Sequence, residues 1–377
     1  MKKFLVVLLA ALMVFSFAAC GGGGDSGSSD DGTMKVAMVT DYGDITDQSF
    51  NQTTYEACKA FCDENNIEFT YKKPASDADA DRVSSIEEAI EEGYNVIVMP
   101  GFAFAPAIRE VAPTYPDVKF VAIDVSEYDL THDGDKEVEF DGKNVYSAVY
   151  QEEIAGYMAG YAAVKLGYTK LGFLGGMAVP AVQRYGHGYV QGADAAAEEL
   201  GKTDVELKYI YGNAFAGNAD ITAVMDTWYG AGTECVFACG GSIYSSAGEA
   251  AKKAGGKVIG VDVDQKDIID GQYGDGMTVT SAMKGLAPTV NTLLRAINAG
   301  EWDSYAGQFQ NLGLVSENPS ENYVQLPEST QFGDGFTAED YNTLVKEIYD
   351  GTRTVSSDID KIPETKVIKV DDQGAIK

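Results

Sequence analysis

The chain has 377 residues, with 28 lysines and arginines against 58 aspartates and glutamates, a net charge of −30, and two histidines. A surface this acidic excludes nucleic-acid binding and electrostatic attachment to anionic lipid, and two histidines leave little scope for histidine-based catalysis or metal binding. The length accommodates two domains.

The amino terminus reads as an export leader. Lys2 and Lys3 precede an almost wholly apolar run over 4–17, too short for a comfortable membrane span and the right length for a secretory h-region. The run ends in Phe17-Ala18-Ala19-Cys20, small residues before a cysteine, similar to a bacterial lipobox. We read a signal peptide at 1–19, acylation (palmitate) of Cys20, and a flexible Gly/Ser/Asp tether over 20–33. The mature chain is then a lipoprotein anchored to the extracytoplasmic face of the cell membrane, not spanning it. Loss of the two leader lysines leaves 26 basic against 58 acidic side chains, a net charge of −32.

From residue 35 onward strands and helices alternate. A β-branched run at 35–40 reads as a strand ending in Asp41, and a polar loop through Asp47 opens at Ser49-Phe50-Asn51-Gln52 into a helix over 52–65. There follow a strand at 67–72, a helix at 79–92, a strand at 95–99, a helix at 104–112 and a strand at 119–124 closed by Asp124. Continuous apolar runs such as Val96-Ile97-Val98-Met99 suit strands covered on both faces, and the alternation predicts a parallel, doubly wound sheet. The rhythm restarts near residue 150 with a helix at 151–166, whose small residues Ala155, Gly156, Ala159, Gly160 and Ala163 permit close packing. Strands at 170–174, 205–211, 235–238 and 257–261 then alternate with helices at 185–200, 218–229 and 245–254. Asp262 follows the last of these strands, and Lys284 follows another at 278–283. A helix is expected at 288–299, and Thr337-Ala338-Glu339-Asp340 signals a capping box before a helix at 341–349. Cys58, Cys62, Cys235 and Cys239 read as buried small hydrophobes, since the strand pair lies roughly 13 Å apart, beyond disulfide reach.

Two α/β lobes with a cleft between them look like a type I periplasmic-binding-protein fold. Lobe 1 is expected at 34–148 plus 284–308 and lobe 2 at 149–283 plus 309–377, with crossings near 125–150, 281–284 and 305–311.

In open α/β sheets ligands bind beyond the carboxyl ends of the strands. Asp41, Asp124 and Asp262 each end an apolar run, and a carboxylate there can accept bonds from ligand hydroxyls; its alternative role is to cap the next helix. Phe50 sits in a polar loop, where a ring can stack on a flat base or staple the helix start. Tyr185, Phe215 and Tyr244 are candidates for a second ring. Asn51 offers an amide. The turns Gly175-Gly176 and Gly240-Gly241 suit close backbone approach or tight-turn geometry. The loop after Asp41 carries no basic side chain through Gln52, which disfavours a phosphate ligand. Dinucleotide, P-loop and nucleophile-elbow signatures are missing. Asp41, Asp44 and Asp47 lack EF-hand spacing. A binding protein with no cofactor and no metal is expected, not an enzyme.

The stretch Met38-Val39-Thr40-Asp41 through Ser49-Phe50-Asn51-Gln52, the helix Tyr150-Gln151-Glu152-Glu153 through Tyr161, Leu171-Gly172-Phe173-Leu174-Gly175-Gly176-Met177, and Val258-Ile259-Gly260-Val261-Asp262-Val263-Asp264-Gln265 resemble motifs of the basic membrane protein (Bmp) family. Its members include purine nucleoside receptor lipoproteins, the substrate-binding components of ABC importers. The resemblance covers residues 35–299. It implies capture of a purine nucleoside (guanosine, inosine or adenosine) between the lobes, a monomer that delivers it to an ABC permease, and a ligand-bonding lysine at Lys284, bridging a ribose oxygen and Asp262. The sequence departs from the family at Tyr55, often Trp, at Ala122-Ile123-Asp124-Val125, in a long acidic loop at 128–141 and in an extended tail beyond 320. A sugar or autoinducer receptor of the same fold is the alternative, and a nucleoside-cleaving hydrolase a remote one.

Overall fold

A computed structural model describes residues 32–377; the leader and Cys20 lie outside the described residues. The chain begins with β1 (Lys35–Val39), α1 (Phe50–Asn65), β2 (Glu68–Lys72), α2 (Asp79–Glu91), β3 (Val96–Pro100), α3 (Ala105–Val111) and β4 (Lys119–Ile123). The acidic loop that follows folds into a short helix α4 (Glu127–Thr131) and a two-stranded ribbon, β5 (His132–Asp133) with β6 (Lys136–Glu137), before β7 (Val145–Tyr150). The second lobe runs α5 (Glu152–Lys165), β8 (Lys170–Gly175), α6 (Pro180–Leu200), β9 (Glu206–Tyr211), α7 (Ala219–Gly230), β10 (Cys235–Cys239), α8 (Tyr244–Ala254), β11 (Lys257–Asp262), α9 (Lys266–Tyr273) and β12 (Thr278–Lys284). Then come α10 (Leu286–Asn298), β13 (Phe309–Leu312), β14 (Val324–Gln325), α11 (Ala338–Tyr349) and β15 (Lys369–Ala375).

Among the described residues the strands form two large sheets. The first has the order β2-β1-β3-β4-β7-β13 and is wholly parallel; the second has the order β15-β9-β8-β10-β11-β12-β14, with only β14 antiparallel. Successive β1 side chains face opposite ways. Val36 and Met38 pack with Cys58 and Phe61 of α1, whereas Ala37 and Val39 pack with Ile86 of α2 and Ile108 of α3. Burial on both faces is why the strands read as unbroken apolar runs. All four cysteines among the described residues, Cys58, Cys62, Cys235 and Cys239, are buried and free.

Three expected boundaries shift. β7 runs on to Tyr150 in the first sheet, Lys284 ends a strand of the second, and β13 pairs in parallel with β7. Residues 149–150 and 309–312 therefore belong with the first lobe, and the third crossing follows Leu312 instead of falling near 305–311. Helix α6 starts at Pro180, ahead of the expected 185, because proline suits the first helical turn, where its missing N–H is not needed. The capping box at Thr337 and Asp340 opens α11.

Helices α5 and α6 touch backbone to backbone. A Cβ on Gly160 would lie 2.1 Å from the Tyr189 carbonyl oxygen, and one on Gly188 would lie 2.0 Å from that of Glu153. Only glycine permits this approach, which fixes residues 153–160 of α5 against the middle of α6. Gly188→Ala is therefore expected to lower stability by about 2–3 kcal/mol, read as a fall in urea midpoint at unchanged slope. An unchanged midpoint would mean that the helices separate without penalty.

Candidate functional site

The loop from Asp41 to Phe50 is built by its own carboxylates. Asp47 Oδ1 accepts from the backbone N–H of Ser49 (2.9 Å) and Gln52 (3.1 Å), and its Oδ2 accepts from that of Asn51 (2.9 Å). Asp47 thus satisfies the orphan donors at the start of α1, a capping role that frees the Ser49 hydroxyl. Ser49 Oγ instead donates to Asp262 Oδ2 in the other lobe (2.6 Å). Asn51 Nδ2 donates to Asp41 Oδ1 (2.9 Å) and Asp47 Oδ2 (3.1 Å). Asp41 lies against Gly101, whose φ is +129° and where a Cβ would sit 2.5 Å from Asp41 Oδ2. Of the Asp41, Asp44 and Asp47 series, Asp44 pairs separately with Lys73 (2.7 Å).

Asp124 and Asp262 stand at corresponding places, just past β4 and at the end of β11, each the fourth strand of its lobe along the chain. Both adopt left-handed backbone, with φ of +61° and +65°, which strains a residue bearing a Cβ by roughly 1–2 kcal/mol. Their carboxylates converge on Lys284. Its Nζ lies 2.5 Å from Asp124 Oδ2, 3.4 Å from Glu152 Oε1 and 3.6 Å from Asp262 Oδ1, and all four side chains are buried. Neither Asp124 nor Asp262 caps the next helix: Ser126 caps α4, and Gln265 precedes α9 without a side-chain cap. Arg184 Nε donates to Glu152 Oε2 (2.6 Å), a pair made possible by the close α5–α6 packing. Gln265 Nε2 donates to the Gln48 carbonyl (3.0 Å), so three polar contacts join the lobes here.

Between the lobes lies a cavity. The first lobe contributes Asp41, Phe50 and Asp124 to its wall, and the second contributes Tyr185, Phe215, Gly240, Asp262 and Lys284. Asn51 lines a wider opening that shares Asp41, Phe50, Phe215 and Asp262 with that cavity. The wall coincides with the switch points of both sheets, between β1 and β3 and between β8 and β10, where doubly wound folds bind ligands.

The candidate rings are not equivalent. Phe50 is half-buried, with Lys284 Nζ 4.6 Å from its centroid. Phe215 is half-buried and packs on the glycine turns; a Cβ on Gly176 would meet its ring at 2.6 Å and one on Gly240 at 3.0 Å. Tyr185 is 1% exposed and meets Phe237 edge-on, so neither face is open. Tyr244 belongs to the core around Trp228 and Tyr229, away from the cavity. Two rings escaped the sequence reading, Tyr42 and Phe102, whose centroids lie 6.3 Å apart at the cavity's edge; Tyr42 is also 6.3 Å from Phe215. Their only sequence signal is position, each just beyond a strand end.

Burial opposes the charge on Lys284, but Asp124, Asp262 and Glu152 outweigh it and hold the ammonium above the ordinary lysine range. Burial raises Asp124, with Lys284 pulling it back. Asp124 Oδ1 and the Tyr185 hydroxyl are buried with no partner among the described residues. Burial also pushes Asp41 up to about 6, against the bonds from Asn51 and Gly43. No group of three or more His, Cys, Asp or Glu among the described residues is arranged to hold a metal ion, and no described helix is long and apolar enough to cross a membrane.

The sequence model of the family described as ABC transporter substrate-binding protein PnrA-like matches residues 34–331. The ABC transporter nucleoside-binding protein BmpA of Lactococcus lactis is 28% identical over 340 residues, 86% of this chain and 89% of that protein. The CD4+ T-cell-stimulating antigen of Listeria monocytogenes is 30% identical over 292 residues, 73% of this chain and 76% of that protein. A crystal structure of ABC transporter system solute-binding proteins from Aeropyrum pernix K1 shares the fold with a TM-score of 0.65 at 22% identity, over 86% of this chain and 88% of that one. The chain belongs to the Bmp family, and its two doubly wound lobes form a type I periplasmic-binding-protein fold. It is an extracytoplasmic substrate-binding protein of an ABC importer, with a small-molecule ligand and a permease partner, and not an enzyme.

The raised Asp41 makes stability depend on pH. The folded chain holds that proton more tightly than the unfolded chain from about pH 4 up to about 6, so this group's contribution to stability falls as pH rises through that window. Asp41→Asn removes the fall. Urea midpoints at pH 4, 5, 6 and 7 are expected to move in the variant's favour, relative to wild type, as pH rises. A difference independent of pH would contradict the assignment.

Proposed function

We propose that this protein is a lipid-anchored receptor that closes its two lobes on a purine nucleoside (guanosine, inosine or adenosine) and passes it to an ABC permease. The supporting observation is that Phe50 from one lobe and Phe215 from the other line the same cavity as the buried Asp124–Lys284–Asp262 cluster. The base stacks between the two rings, each worth roughly 1–3 kcal/mol. The ribose hydroxyls donate to Asp262 and Asp124 and accept from Lys284. Asp41, held by Asn51, faces the polar edge of the base, and the Gly240 turn seats the Phe215 ring. The similarity to a relative named as nucleoside-binding points the same way. The cleft's excess of carboxylates disfavours nucleotides, because a phosphate would add like charge in a low-dielectric site. A sugar or autoinducer would leave the two rings without a flat partner, so that reading ranks second.

Closure follows from where the contacts fall. Ser49–Asp262, Gln265–Gln48 and Lys284–Asp124 each join opposite lobes, so they form only when the lobes meet. A ligand that touches both lobes favours that state by its differential contacts. The unit acts as a monomer. The leader at 1–19 is cleaved, Cys20 carries the lipid, and the tether at 20–33 lets the lobes reach the permease.

Isothermal titration calorimetry of residues 33–377, refolded from denaturant, tests the reading against guanosine, inosine, adenosine, cytidine, ribose and galactose. Purine nucleosides are expected to bind tightly and the others weakly. Phe50→Ala should weaken nucleoside binding by about 5- to 150-fold, and Asp262→Ala by about tenfold or more, with both variants folded. Binding of a sugar alone, or of nothing, would sink the nucleoside assignment.

A further inference from the structure

We infer that the segment 350–376 is a strap that positions the Phe215 loop, acting through the bond between the Asn213 side chain and the Ile376 carbonyl. The strap lies beyond the family match, which ends at residue 331. It runs along α6 by way of side chains on that helix. Gln191 and Ser356 exchange two bonds (2.9 Å each), His187 Nδ1 donates to the Asp358 carbonyl (3.1 Å), and the Asp194 carboxylate accepts from the backbone N–H of Lys366, Val367 and Ile368 (2.9, 2.9 and 3.1 Å). Strand β15 then covers the exposed edge of β9 in parallel register. Trp228 Nε1 donates to Gln373 Oε1 (3.1 Å), which ties the strand to α7.

The strap ends at the cleft loop. The Ile376 N–H donates to the Tyr211 carbonyl (2.9 Å), and Asn213 Nδ2 donates to the Ile376 carbonyl (2.8 Å). Asn213 is the left-handed residue, φ +55°, that turns the chain beyond β9. Its own N–H donates to the Gly176 carbonyl (3.0 Å), and Phe215 follows two residues later. The Asn213 amide therefore fastens the turn that delivers the ring to a segment outside the family's matched length. Asn213 is a positioning residue: the cavity contact belongs to Phe215.

The choice of probe rests on the nucleoside reading, whereas the loop measurement does not. Asn213→Gly keeps the left-handed turn and removes the bond. Asn213→Asp also keeps the turn but sets a carboxylate against the Ile376 carbonyl. Hydrogen–deuterium exchange of 212–217 in the full chain is expected to quicken in both. Inosine affinity should fall about three- to tenfold in the wild-type background and less than about twofold in a Phe215→Leu background, because the effect passes through that ring. Unchanged exchange, or an equal loss of affinity in both backgrounds, overturns the strap. Quickened exchange in a protein that binds no inosine supports the strap and refutes the nucleoside reading.

Discussion

The ammonium of Lys284, buried among three carboxylates, is the constraint on which the rest of the cleft depends. Removing charges from water costs several kcal/mol per ion, recovered only when geometry is held tightly. Each partner is held by a different part of the fold. Asp124 and Asp262 come from corresponding strand ends in opposite lobes, Glu152 from the first turn of α5, and Lys284 from the last residue of β12. Glu152 is in turn fixed by Arg184, and that pairing requires α5 and α6 to meet at glycine contact distance. A packing feature at the back of the second lobe thereby sets the charge geometry at its front.

Pseudosymmetry explains why the strained residues sit where they do. The two sheets share the doubly wound order, so the cleft is bounded by the same topological positions twice. At one of them each lobe places an aspartate with positive φ. Such strain persists where the surrounding structure over-determines it, typically at functional sites. Here the left-handed turn directs both carboxylates toward the lysine and away from the N-termini of the helices that follow. The helix behind Phe50 is capped by Asp47 alone, which leaves Ser49 to reach across to Asp262.

Much of this was legible in the sequence, for a physical reason. Parallel strands buried on both faces are continuous apolar runs, and residues that close such runs, Asp41, Asp124, Asp262 and Lys284, must emerge at the carboxyl edge. Eight of the nine candidate residues line one cavity, and Asn51 lines its opening. The edge strands were not legible. β13 reads Phe-Gln-Asn-Leu, and β15, Lys369–Ala375, is largely exposed, so neither carries the burial that makes a strand visible. Nor was the Glu152–Arg184 pair, because nothing local links residues 32 apart. The small residues of α5 announced a close neighbour without naming it. The choice of ring needed the fold: Tyr185 and Phe215 look alike in sequence, and only packing shows that one is enclosed and the other open.

The most direct measurement of the central claim is a crystal structure of the refolded protein grown with inosine. Density for the base is expected between Phe50 and Phe215, with the ribose hydroxyls within hydrogen-bond distance of Asp262 and Lys284. Inosine bound elsewhere, or a cleft in which Asp262 and Lys284 make no contact with it, would refute nucleoside capture by the Lys284 cluster.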